Sequence, residues 1–453
     1  MCNSVIIIFK IKLAKERFEA MGNLKKIQSI NSGIKGEIVI PGDKSVSHRS
    51  VMFAGLCDSE VKITNFLHAA DCMSTVNCMR ALGVNVTEID EQTLVVKGNG
   101  FHGLKEPETI IDAGNSGTTL RLMMGILSGQ NFLTTFTGDA SLSRRPMQRV
   151  INPLSKMGAK IVGRKENKLL PITVIPQKES LKGITYEMPM ASAQVKSAIL
   201  LAGMNAEGET TVIEPYTSRD HTERMLAGFG VNLKKSGTSI TISKVDKMTA
   251  PQEIHVPGDI SSAAFWLVAA SIIEHSDVIL KDVGINETRT GIIDVLKAMG
   301  ADIELINIRN EVEPIADIRV RYAKLHGTTL SAEIMPRLID EIPIIAVAAM
   351  VAEGKTIITG AGELRVKETD RLQVITDEFN KVCPCIEATE DGMIITGNNK
   401  INFKNAVCDS YDDHRIAMAL AILGASGVGL EIKNSECVNI SYPEFYEILA
   451  RFK

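Results

Sequence analysis

Basic residues stand at four places where a polar turn leads into an apolar run. These places are residues 42–49, 141–146, 218–223 and 412–415. A helix N-terminus carries partial positive charge, so lysine and arginine are unfavourable in its first turn. They become favourable when an anion binds there, held by backbone N–H groups and a cationic side chain together. At one junction alone a solvated surface charge is the simpler explanation. Four such junctions in a chain of net charge −4 favour pockets for a small polyanion.

These turns also predict where helices begin. We expect helices over residues 50–56, 224–227 and 416–423, and one with Pro146 near its first position. A fifth turn, residues 112–119, precedes a predicted helix over 120–127; its glycines and hydroxyls suit a phosphate or carboxylate, although it lacks the GK[ST] of a Walker A loop. The acids at 340 and 341 precede an apolar helix through 344–351, and alone they are ordinary first-turn residues.

Residues 363–371 are the densest charge cluster of the chain. If this segment is helical, Lys367 and Arg371 lie on one face and Glu368 lies three residues before Arg371. A salt-bridged face exposed to solvent is the default interpretation. The lack of a matching apolar stripe counts against it.

Two internal repeats predict the organisation of the chain. An apolar helix, a glycine and a β-type run recur at intervals of roughly 70 to 75 residues, as expected for supersecondary modules. The glycines are Gly83, Gly158, Gly230 and Gly300, and each suits a left-handed helix C-cap. A fifth copy is expected near residue 372, with Asn380 in the place of the glycine. Residues 37–43 also match residues 253–259, which predicts an α/β protein of two related halves, each of three units.

Composition excludes several classes of protein. The 453 residues suffice for two or three domains, each with its own core. The net charge of −4 argues against nucleic acid or an anionic membrane as partner. The eight cysteines form no CxxC pair, so we expect reduced thiols and a cytoplasmic protein. Residues 1–20 resemble neither a signal peptide nor a membrane span, and we interpret them as a dispensable extension.

Taken together, these motifs resemble the 5-enolpyruvylshikimate-3-phosphate (EPSP) synthase family. The matching segments are 42–45, 115–118, 145–146, 192–194, 340–341, 365–371 and 413–415. The resemblance implies an α/β, two-domain enolpyruvyl transferase fold, each domain with three βαβαββ units around buried helices. It places two chain crossings at Gly42 and Gly258. One domain would then comprise residues 23–42 and 258–453, and the other residues 43–257.

The family transfers the enolpyruvyl group of phosphoenolpyruvate to the 5-hydroxyl of shikimate 3-phosphate and releases phosphate. By resemblance, the residues that bind shikimate 3-phosphate are Lys44, Ser45, Arg49, Ser192, Ala193, Gln194, Arg219, Asp340 and Lys367. Those around phosphoenolpyruvate are Lys44, Gly117, Arg145, Gln194, Arg371 and Arg415. Both substrates carry a phosphate and a carboxylate, which suits bidentate arginines.

The resemblance also implies the catalytic roles. Asp340 is similar to the family's base near the attacking hydroxyl, and Glu368, with Lys44, is similar to the acid near the methylene of phosphoenolpyruvate. It implies no cofactor and no metal, and the sequence contains no metal-ligand cluster. We expect a monomer whose partners are these two small molecules.

Two positions depart from the family pattern. Ala193 stands where one branch has a second serine, so its contact can only be through the backbone. Ile440 stands where many members have a lysine, so one phosphoenolpyruvate contact is missing or supplied differently. Four patterns, at residues 42–45, 192–196, 219–223 and 286–289, resemble the glyphosate-tolerant branch. Gly117 points the other way, because highly tolerant members have alanine there.

Two alternatives remain at this point. The related UDP-N-acetylglucosamine enolpyruvyl transferase shares the fold but carries a loop cysteine as acid, and none of the eight cysteines lies in a comparable Arg/Gly-rich loop. A non-catalytic anion-binding protein would keep the pockets, but anion binding gains nothing from buried acids such as Asp340 and Glu368.

Overall fold

The computed structural model describes residues 24–398, 403–427 and 429–452. Within these ranges the strands form six small sheets, five of four strands and one of three. Helices connect the strands, so the α/β class is confirmed. The extension predicted at residues 1–20 lies outside the described residues.

The strands are short and spread over the whole described chain. They are β1 Lys25–Ile27, β2 Lys35–Val39, β3 Glu60–Thr64, β4 Asn85–Asp90, β5 Thr93–Lys97, β6 Ile111–Asp112, β7 Thr134–Thr137, β8 Lys160–Gly163, β9 Leu169–Ile175, β10 Thr185–Glu187, β11 Thr210–Ile213, β12 Leu233–Ser236, β13 Ser239–Ile242, β14 Glu253–His255, β15 Asp277–Gly284, β16 Asp302–Arg309, β17 Ile315–Arg321, β18 Thr329–Leu330, β19 Gly354–Ile358, β20 Ile386–Ala388, β21 Met393–Gly397, β22 Val407–Asp409 and β23 Leu430–Lys433.

Between them run α-helices and short 3-10 helices. The α-helices of six residues or more are α1 Lys44–Gly55, α2 Ala70–Ala81, α3 Gly117–Leu127, α4 Gln148–Lys156, α5 Ala193–Gly203, α6 His221–Gly228, α7 Ile260–Ile272, α8 Gly291–Ala298, α9 Ile342–Val351, α10 Arg371–Val382, α11 His414–Ser426 and α12 Phe445–Ala450. The 3-10 helices are Leu142–Arg144, Met335–Arg337, Ile339–Glu341, Gly362–Val366 and Ser435–Ile440. No helix in the described ranges combines the length and apolar character needed to span a bilayer.

The four-stranded sheets share one topology. In one example β6 pairs parallel with β7, β7 pairs antiparallel with β9, and β8 closes the other edge against β9. Along the chain, α3 connects β6 to β7 and α4 connects β7 to β8, which β9 follows directly, so the unit is βαβαββ. The repeated unit predicted from the sequence is therefore confirmed.

The helix-ending glycines behave as predicted, except in the fifth copy. Gly83, Gly158, Gly230 and Gly300 have φ of 86°, 101°, 76° and 93°, in the left-handed region that favours glycine. Asn380 does not take the glycine's place, because it lies inside α10. Its side chain instead bonds the N–H groups of Cys385 and Ile386 and fixes the chain after the helix.

Buried side chains form two separate hydrophobic clusters. The C-terminal core contains residues from 27–40 and 260–449, and the N-terminal core contains residues from 46–256. Helix α7 is buried along its whole length in the C-terminal core, as α3 nearly is in the N-terminal core. Such helices are apolar on every side because sheets and helices surround them.

The chain passes between the cores at two places. Strand β2 pairs parallel with β15 in the C-terminal core, whereas β14 pairs parallel with β3 in the N-terminal core. The chain passes to the other core directly after β2 and again directly after β14. At these two places Gly42 and Gly258 form an isolated antiparallel bridge. The exact domain limits stay a prediction.

Several helices begin earlier than the sequence predicts. α1, α3, α6 and α11 begin at Lys44, Gly117, His221 and His414 rather than two to six residues later. In three of them the preceding side chain caps the helix and so fixes its start: the caps are Asp43, Ser116 and Asp413. Lys44 and Arg415 therefore lie inside the first turn of their helices, whereas Arg219 precedes α6.

Two other segments differ in local structure from what the sequence suggested. Pro146 precedes α4, which begins at Gln148, so it is not near the first helical position. Residues 363–371 are not one helix: a 3-10 helix ends at Val366, and Asp370 caps a new helix by accepting the N–H of Gln373.

Candidate active site

Helix N-termini from both cores meet at one cavity of about 470 Å³. Its wall includes the first residues of five helices, which are Lys44, Gly117, Ala193, Arg371 and His414. The positive ends of these helix dipoles therefore point at the same space. Backbone N–H groups in the first turn of a helix are ready-made ligands for anions.

Charged side chains lining the cavity reinforce this field. The basic ones are Lys44, Arg121, Arg145, Arg149, Arg219, Arg289, Lys367, Arg371 and Arg415, and the acidic ones are Asp71, Asp259, Asp340, Glu363 and Glu368. Cations thus outnumber carboxylates here, although the whole chain carries a net charge of −4. The cavity is therefore suited to an anionic ligand.

Asp340 lies in the cavity wall, just before α9. Its Oδ2 accepts a hydrogen bond from Nη2 of Arg219 at 2.6 Å. Its Oδ1 lies 3.4 Å from both Nζ of Lys367 and Nη1 of Arg371. Burial alone would raise the pKa of Asp340, but Lys367, Arg219 and the neighbouring arginines hold that pKa well below its usual range. Asp340 makes no helix-capping hydrogen bond, and its pairing with three cations goes beyond the ordinary first-turn role of an acid.

Glu368 is the second partly buried acid of the cavity. Its Oε2 accepts a hydrogen bond from Nη2 of Arg371 at 2.7 Å, and its Oε1 lies 3.8 Å from Nη2 of Arg145. Burial would raise the pKa of Glu368, but Arg371, Arg145 and Lys44 hold it well below its usual range. Both acids are therefore carboxylates near neutral pH.

This charge state predicts a loss of stability in acid. A carboxyl with a depressed folded-state pKa stabilises the fold above its unfolded pKa, and this is lost as the pH falls through the folded pKa. We expect the melting temperature to fall steeply between about pH 5 and about pH 3, and less steeply in Glu368→Gln. Thermal melts at several pH values check this. Glu387 is exposed, so Glu387→Gln is the control. An equal dependence of the melting temperature on pH in Glu368→Gln and Glu387→Gln would contradict the prediction.

Arg371 connects the two acids. Its side chain is 1% exposed, and besides Asp340 and Glu368 it contacts the buried Asp413, with Nε at 2.7 Å from Oδ2. Burial would lower the pKa of Arg371, but these three carboxylates raise it, so it remains a cation. One guanidinium thus sets the separation of the two candidate catalytic acids.

Lys44 and Arg415 complete this part of the wall. Nζ of Lys44 lies 3.1 Å from Oδ2 of Asp71. Burial would lower the pKa of Lys44, but Asp71 and Glu368 raise it overall. Nη1 of Arg415 donates to the backbone oxygen of Asp340 at 3.1 Å, so Arg415 also fixes the acid's position.

The start of α5 supplies the opposite wall. Ser192 precedes the helix without capping it through its side chain, and both Ser192 and Ala193 line the cavity. Nε2 of Gln194 donates to Oγ1 of Thr118 at 3.0 Å, and its Oε1 accepts a short bond from Arg121. Gln194 therefore holds the predicted segment 192–194 against the first residues of α3.

Gly117 and Arg145 lie next to each other. Nη2 of Arg145 donates to Oδ1 of Asn115 at 2.7 Å, which holds the guanidinium beside the start of α3. A Cβ atom added at Gly117 would lie 3.1 Å from Nη1 of Arg121 and 3.6 Å from Nη1 of Arg145. The space in front of Gly117 is thus bounded by two arginines.

A buried ion-pair cluster supports the loop that carries Arg219. Nζ of Lys196 lies 2.9 Å from Glu214 and 2.7 Å from Glu223, and it donates to the backbone oxygen of Ser218 at 3.3 Å. Ser218 also bonds Glu214 through its hydroxyl. Because Ser218 directly precedes Arg219, the cluster fixes where that arginine enters the cavity.

Arg49 lies behind the wall that Ser45 forms. Its Nη1 donates to the backbone oxygen of Ser45 at 2.9 Å, Nε to Thr222 at 2.8 Å and Nη2 to Ser197 at 3.1 Å. Burial lowers the pKa of Arg49 to about 10. Every other residue predicted to bind a ligand lines the cavity itself.

Sequence reasoning did not single out Arg121, Arg149 or His414 as site residues. Arg121 lies four residues after Gly117, about one turn further along α3, and this helical spacing could have indicated it. Arg149 likewise lies four residues after Arg145. Nη1 of Arg149 donates to Oε1 of Glu363 at 2.8 Å, which joins the two cores across the cavity. Ile440, at the departure from the family pattern, packs against the C-terminal core instead.

Side chains that could ligate a metal ion do not cluster in the part of the chain that the structure describes. It contains no group of three or more His, Cys, Asp or Glu side chains that could hold a metal ion. The described cysteines are free thiols, and five of them are buried.

Comparison with known proteins identifies the family. The model of the family described as EPSP synthase (3-phosphoshikimate 1-carboxyvinyltransferase) matches residues 29–449. The chain belongs to the EPSP synthase family. Among curated relatives, a 3-phosphoshikimate 1-carboxyvinyltransferase of Pelotomaculum thermopropionicum is 49% identical over 421 residues, 92% of this chain and 96% of the relative. One from Bacillus cereus (strain 03BB102) is 50% identical over 430 residues, 94% of this chain and 99% of the relative.

Solved structures agree with this membership of the EPSP synthase family. The EPSP synthase from Acinetobacter baumannii has a TM-score of 0.84 and 45% sequence identity, with 94% of this chain and 97% of that one covered. The enolpyruvyl transferase NikO from Streptomyces tendae has a TM-score of 0.74 at 16% identity over 95% and 98% of the chains, which shows the fold alone. The two-domain enolpyruvyl transferase fold is therefore confirmed.

Proposed function

We propose that this protein transfers the enolpyruvyl group of phosphoenolpyruvate to the 5-hydroxyl of shikimate 3-phosphate, releasing phosphate, on the pathway to chorismate and aromatic amino acids. Its family membership supports this activity. The observation that carries it is one buried arginine, Arg371, between two ionised acids, Asp340 and Glu368, in a cationic cavity. A cavity for anion binding alone would not need two partly buried acids among its cations.

The charge of the substrates suits the arrangement of the wall. We assign shikimate 3-phosphate to Lys44, Ser45, Arg49, Ser192, Ala193, Gln194, Arg219, Asp340 and Lys367. We assign phosphoenolpyruvate to Lys44, Gly117, Arg145, Gln194, Arg371 and Arg415. Arg49 acts in this assignment through the backbone of Ser45, which it holds. Ala193 contributes its N–H at the first position of α5.

The proposed chemistry is an addition followed by an elimination. The 5-hydroxyl oxygen attacks C2 of phosphoenolpyruvate while Asp340 takes the hydroxyl proton and Glu368, with Lys44, delivers a proton to C3. C3 of the tetrahedral intermediate then returns its proton as the C–O bond to phosphate breaks. Glu368 must be protonated to act as an acid, and anionic substrate groups that pair with Arg371 and Arg145 raise its pKa toward that state.

Phosphate release tests the proposed activity. We expect release when phosphoenolpyruvate and shikimate 3-phosphate are present together and none with either alone. UDP-N-acetylglucosamine in place of shikimate 3-phosphate is the control for the related transferase. Release with that acceptor, or binding of both anions without release, would replace the proposal by one of the two alternatives.

We propose further that the protein belongs to the glyphosate-tolerant branch, with partial tolerance. The four branch-like patterns support this, whereas Gly117 leaves room for an inhibitor longer than phosphoenolpyruvate. In Gly117→Ala the new methyl would press on Arg121 at 3.1 Å. Such overpacking costs about 1–3 kcal/mol. We expect this cost to weaken the binding of glyphosate, the longer ligand, more than the binding of phosphoenolpyruvate.

Inhibition kinetics check this prediction. We expect the glyphosate inhibition constant of Gly117→Ala to rise more than its Michaelis constant for phosphoenolpyruvate. Gly362→Ala is the matched control, since its Cβ would meet only Asp391, at 3.7 Å. A rise by the same factor in both constants would contradict the steric argument.

We also propose that the protein is a cytoplasmic monomer with domains at 23–42 plus 258–453 and at 43–257. The two hydrophobic cores support these limits. Sedimentation of the purified protein tests the monomer. A segment 43–257 that fails to fold when produced alone would count against the limits.

A further inference from the structure

The two chain crossings between the cores lie side by side and are bonded to each other. The N–H of Asp43 donates to the oxygen of Pro257 at 2.7 Å, and the N–H of Asp259 donates to the oxygen of Pro41 at 2.9 Å. Each aspartate then begins a helix, α1 after Asp43 and α7 after Asp259. Any displacement of one crossing therefore moves the start of a helix in each core.

Arg289 bridges these two aspartates. Its Nη1 donates to Oδ2 of Asp43 at 3.1 Å and to Nε2 of His221 at 3.0 Å. Its Nη2 donates to Oδ1 of Asp259 at 3.0 Å and to Oγ of Ser261 at 2.8 Å. The four terminal N–H groups of the guanidinium are therefore all used within the protein, and the side chain is only 3% exposed.

The bridge is charged and buried. Burial would lower the pKa of Arg289, but Asp43 and Asp259 raise it overall, so Arg289 remains a cation. Charge-assisted hydrogen bonds of this kind are about twice as strong as neutral ones, and the planar fork serves two acceptors at once. A lysine could keep the charge but not the fork.

The bridge leads directly to Lys44. Oδ1 of Asp43 caps α1 through the N–H of Val46 at 2.9 Å. Oδ2 of Asp259 accepts the N–H of Lys44 at 3.3 Å. The backbone of Lys44, the first residue of α1, is thus bonded to Asp259 of the second crossing. Arg289 holds both aspartates in the positions that make this possible.

The four branch-like segments of the sequence meet around this bridge. Nδ2 of Asn286 donates to Asp220 at 2.8 Å and to Glu313 at 3.0 Å. Glu313 also pairs with Nδ1 of His221 at 2.8 Å. Because an arginine can only donate, Nε2 of His221 accepts from Arg289, and Nδ1 carries the proton shared with Glu313. The segments 42–45, 219–223 and 286–289 are therefore one continuous network, and 192–196 joins it through the Lys196–Glu223 pair.

We propose that Arg289 is a positioning residue that fastens the two crossings together and thereby sets the place of Lys44 in the cavity. The proposal rests on the proposed function, since Lys44 is assigned there to both substrates. Arg289 acts through Asp43 and Asp259, because its terminal N–H groups are already used within the protein.

Calorimetry of shikimate 3-phosphate binding to single and double variants tests this. We expect Arg289→Lys to weaken binding roughly tenfold, within the usual range for directly coupled residues. In a Lys44→Ala background the same change should have little further effect, because the residue through which Arg289 acts is gone. Amide hydrogen exchange of residues 42–46 should become faster in Arg289→Lys. The control Arg319→Lys alters an exposed arginine paired with Asp277 and should change none of these values.

Two outcomes would overturn the proposal. One is a double variant in which the two losses simply multiply, and the other is unchanged hydrogen exchange at residues 42–46. If Arg289→Lys does not fold, Asp43→Asn breaks the same bridge from the other side while its oxygen can still cap Val46. If wild-type protein does not bind shikimate 3-phosphate, the proposed function fails, whereas the exchange measurement still tests the fastening role.

Discussion

Replacing Asp340 by alanine is expected to lower turnover by about a hundredfold or more, the usual effect of removing a positioned base. Asp340 faces the cavity with one oxygen on Arg219 and the other near Lys367 and Arg371. Alanine removes the proton acceptor but leaves the cations in place. The loss should therefore appear in turnover, while the affinity for the anionic substrates changes only modestly.

Steady-state kinetics separate these two quantities. The control is Asp277→Ala, which removes an exposed carboxylate paired with Arg319 in the same core, and it should keep wild-type turnover. If Asp340→Ala retains turnover within a few-fold of wild type, Asp340 is not the base. If substrate affinity falls as much as turnover, Asp340 serves mainly in binding.

Replacing Arg371 by methionine is expected to lower the free energy of unfolding by about 3–5 kcal/mol, the cost of leaving buried charges unpaired. The guanidinium is 1% exposed and contacts Asp340, Glu368 and Asp413, of which Asp413 is fully buried. Methionine fills much of the volume but compensates none of these carboxylates. We also expect binding of phosphoenolpyruvate to weaken more than that of shikimate 3-phosphate.

Thermal unfolding and calorimetry measure the two effects. Arg321→Met is the matched control, because Arg321 holds Asp302 through two nitrogens at 2.7 and 3.0 Å but on the surface. Little change is expected there, since solvent screens exposed pairs. The free energy of unfolding of Arg371→Lys should lie between those of wild type and Arg371→Met, because lysine keeps the charge but not the three contacts. Equal losses in Arg371→Met and Arg321→Met would contradict the role of burial.

Much of the architecture could be predicted because it repeats along the chain. The glycines Gly83, Gly158, Gly230 and Gly300 mark helix ends through their own backbone preference, which is a local property. The match between residues 37–43 and 253–259 indicated the two crossings. The fifth unit was located, but its ending was misjudged because Asn380 closes it through side-chain bonds rather than a left-handed backbone.

The helix starts were predicted less well. A cap such as Asp43, Ser116 or Asp413 decides where a helix begins, and its effect depends on a single side-chain hydrogen bond. Residues 363–371 do not form the single helix considered from the sequence, for a related reason. Asp370 starts a new helix there, so Lys367 and Arg371 reach Asp340 from two different elements.

The sequence by itself determined the residue types of the site: the basic first turns, the two acids and the small residues before helices, all of which depend on local backbone chemistry. Only the tertiary structure decided their partners. Arg371 contacts Asp340 from 31 positions away, and Arg289 lies 246 and 30 positions from Asp43 and Asp259, the two aspartates that it joins. Such contacts exist because five helix N-termini from two cores are packed against one cavity, and no spacing along the chain encodes that arrangement.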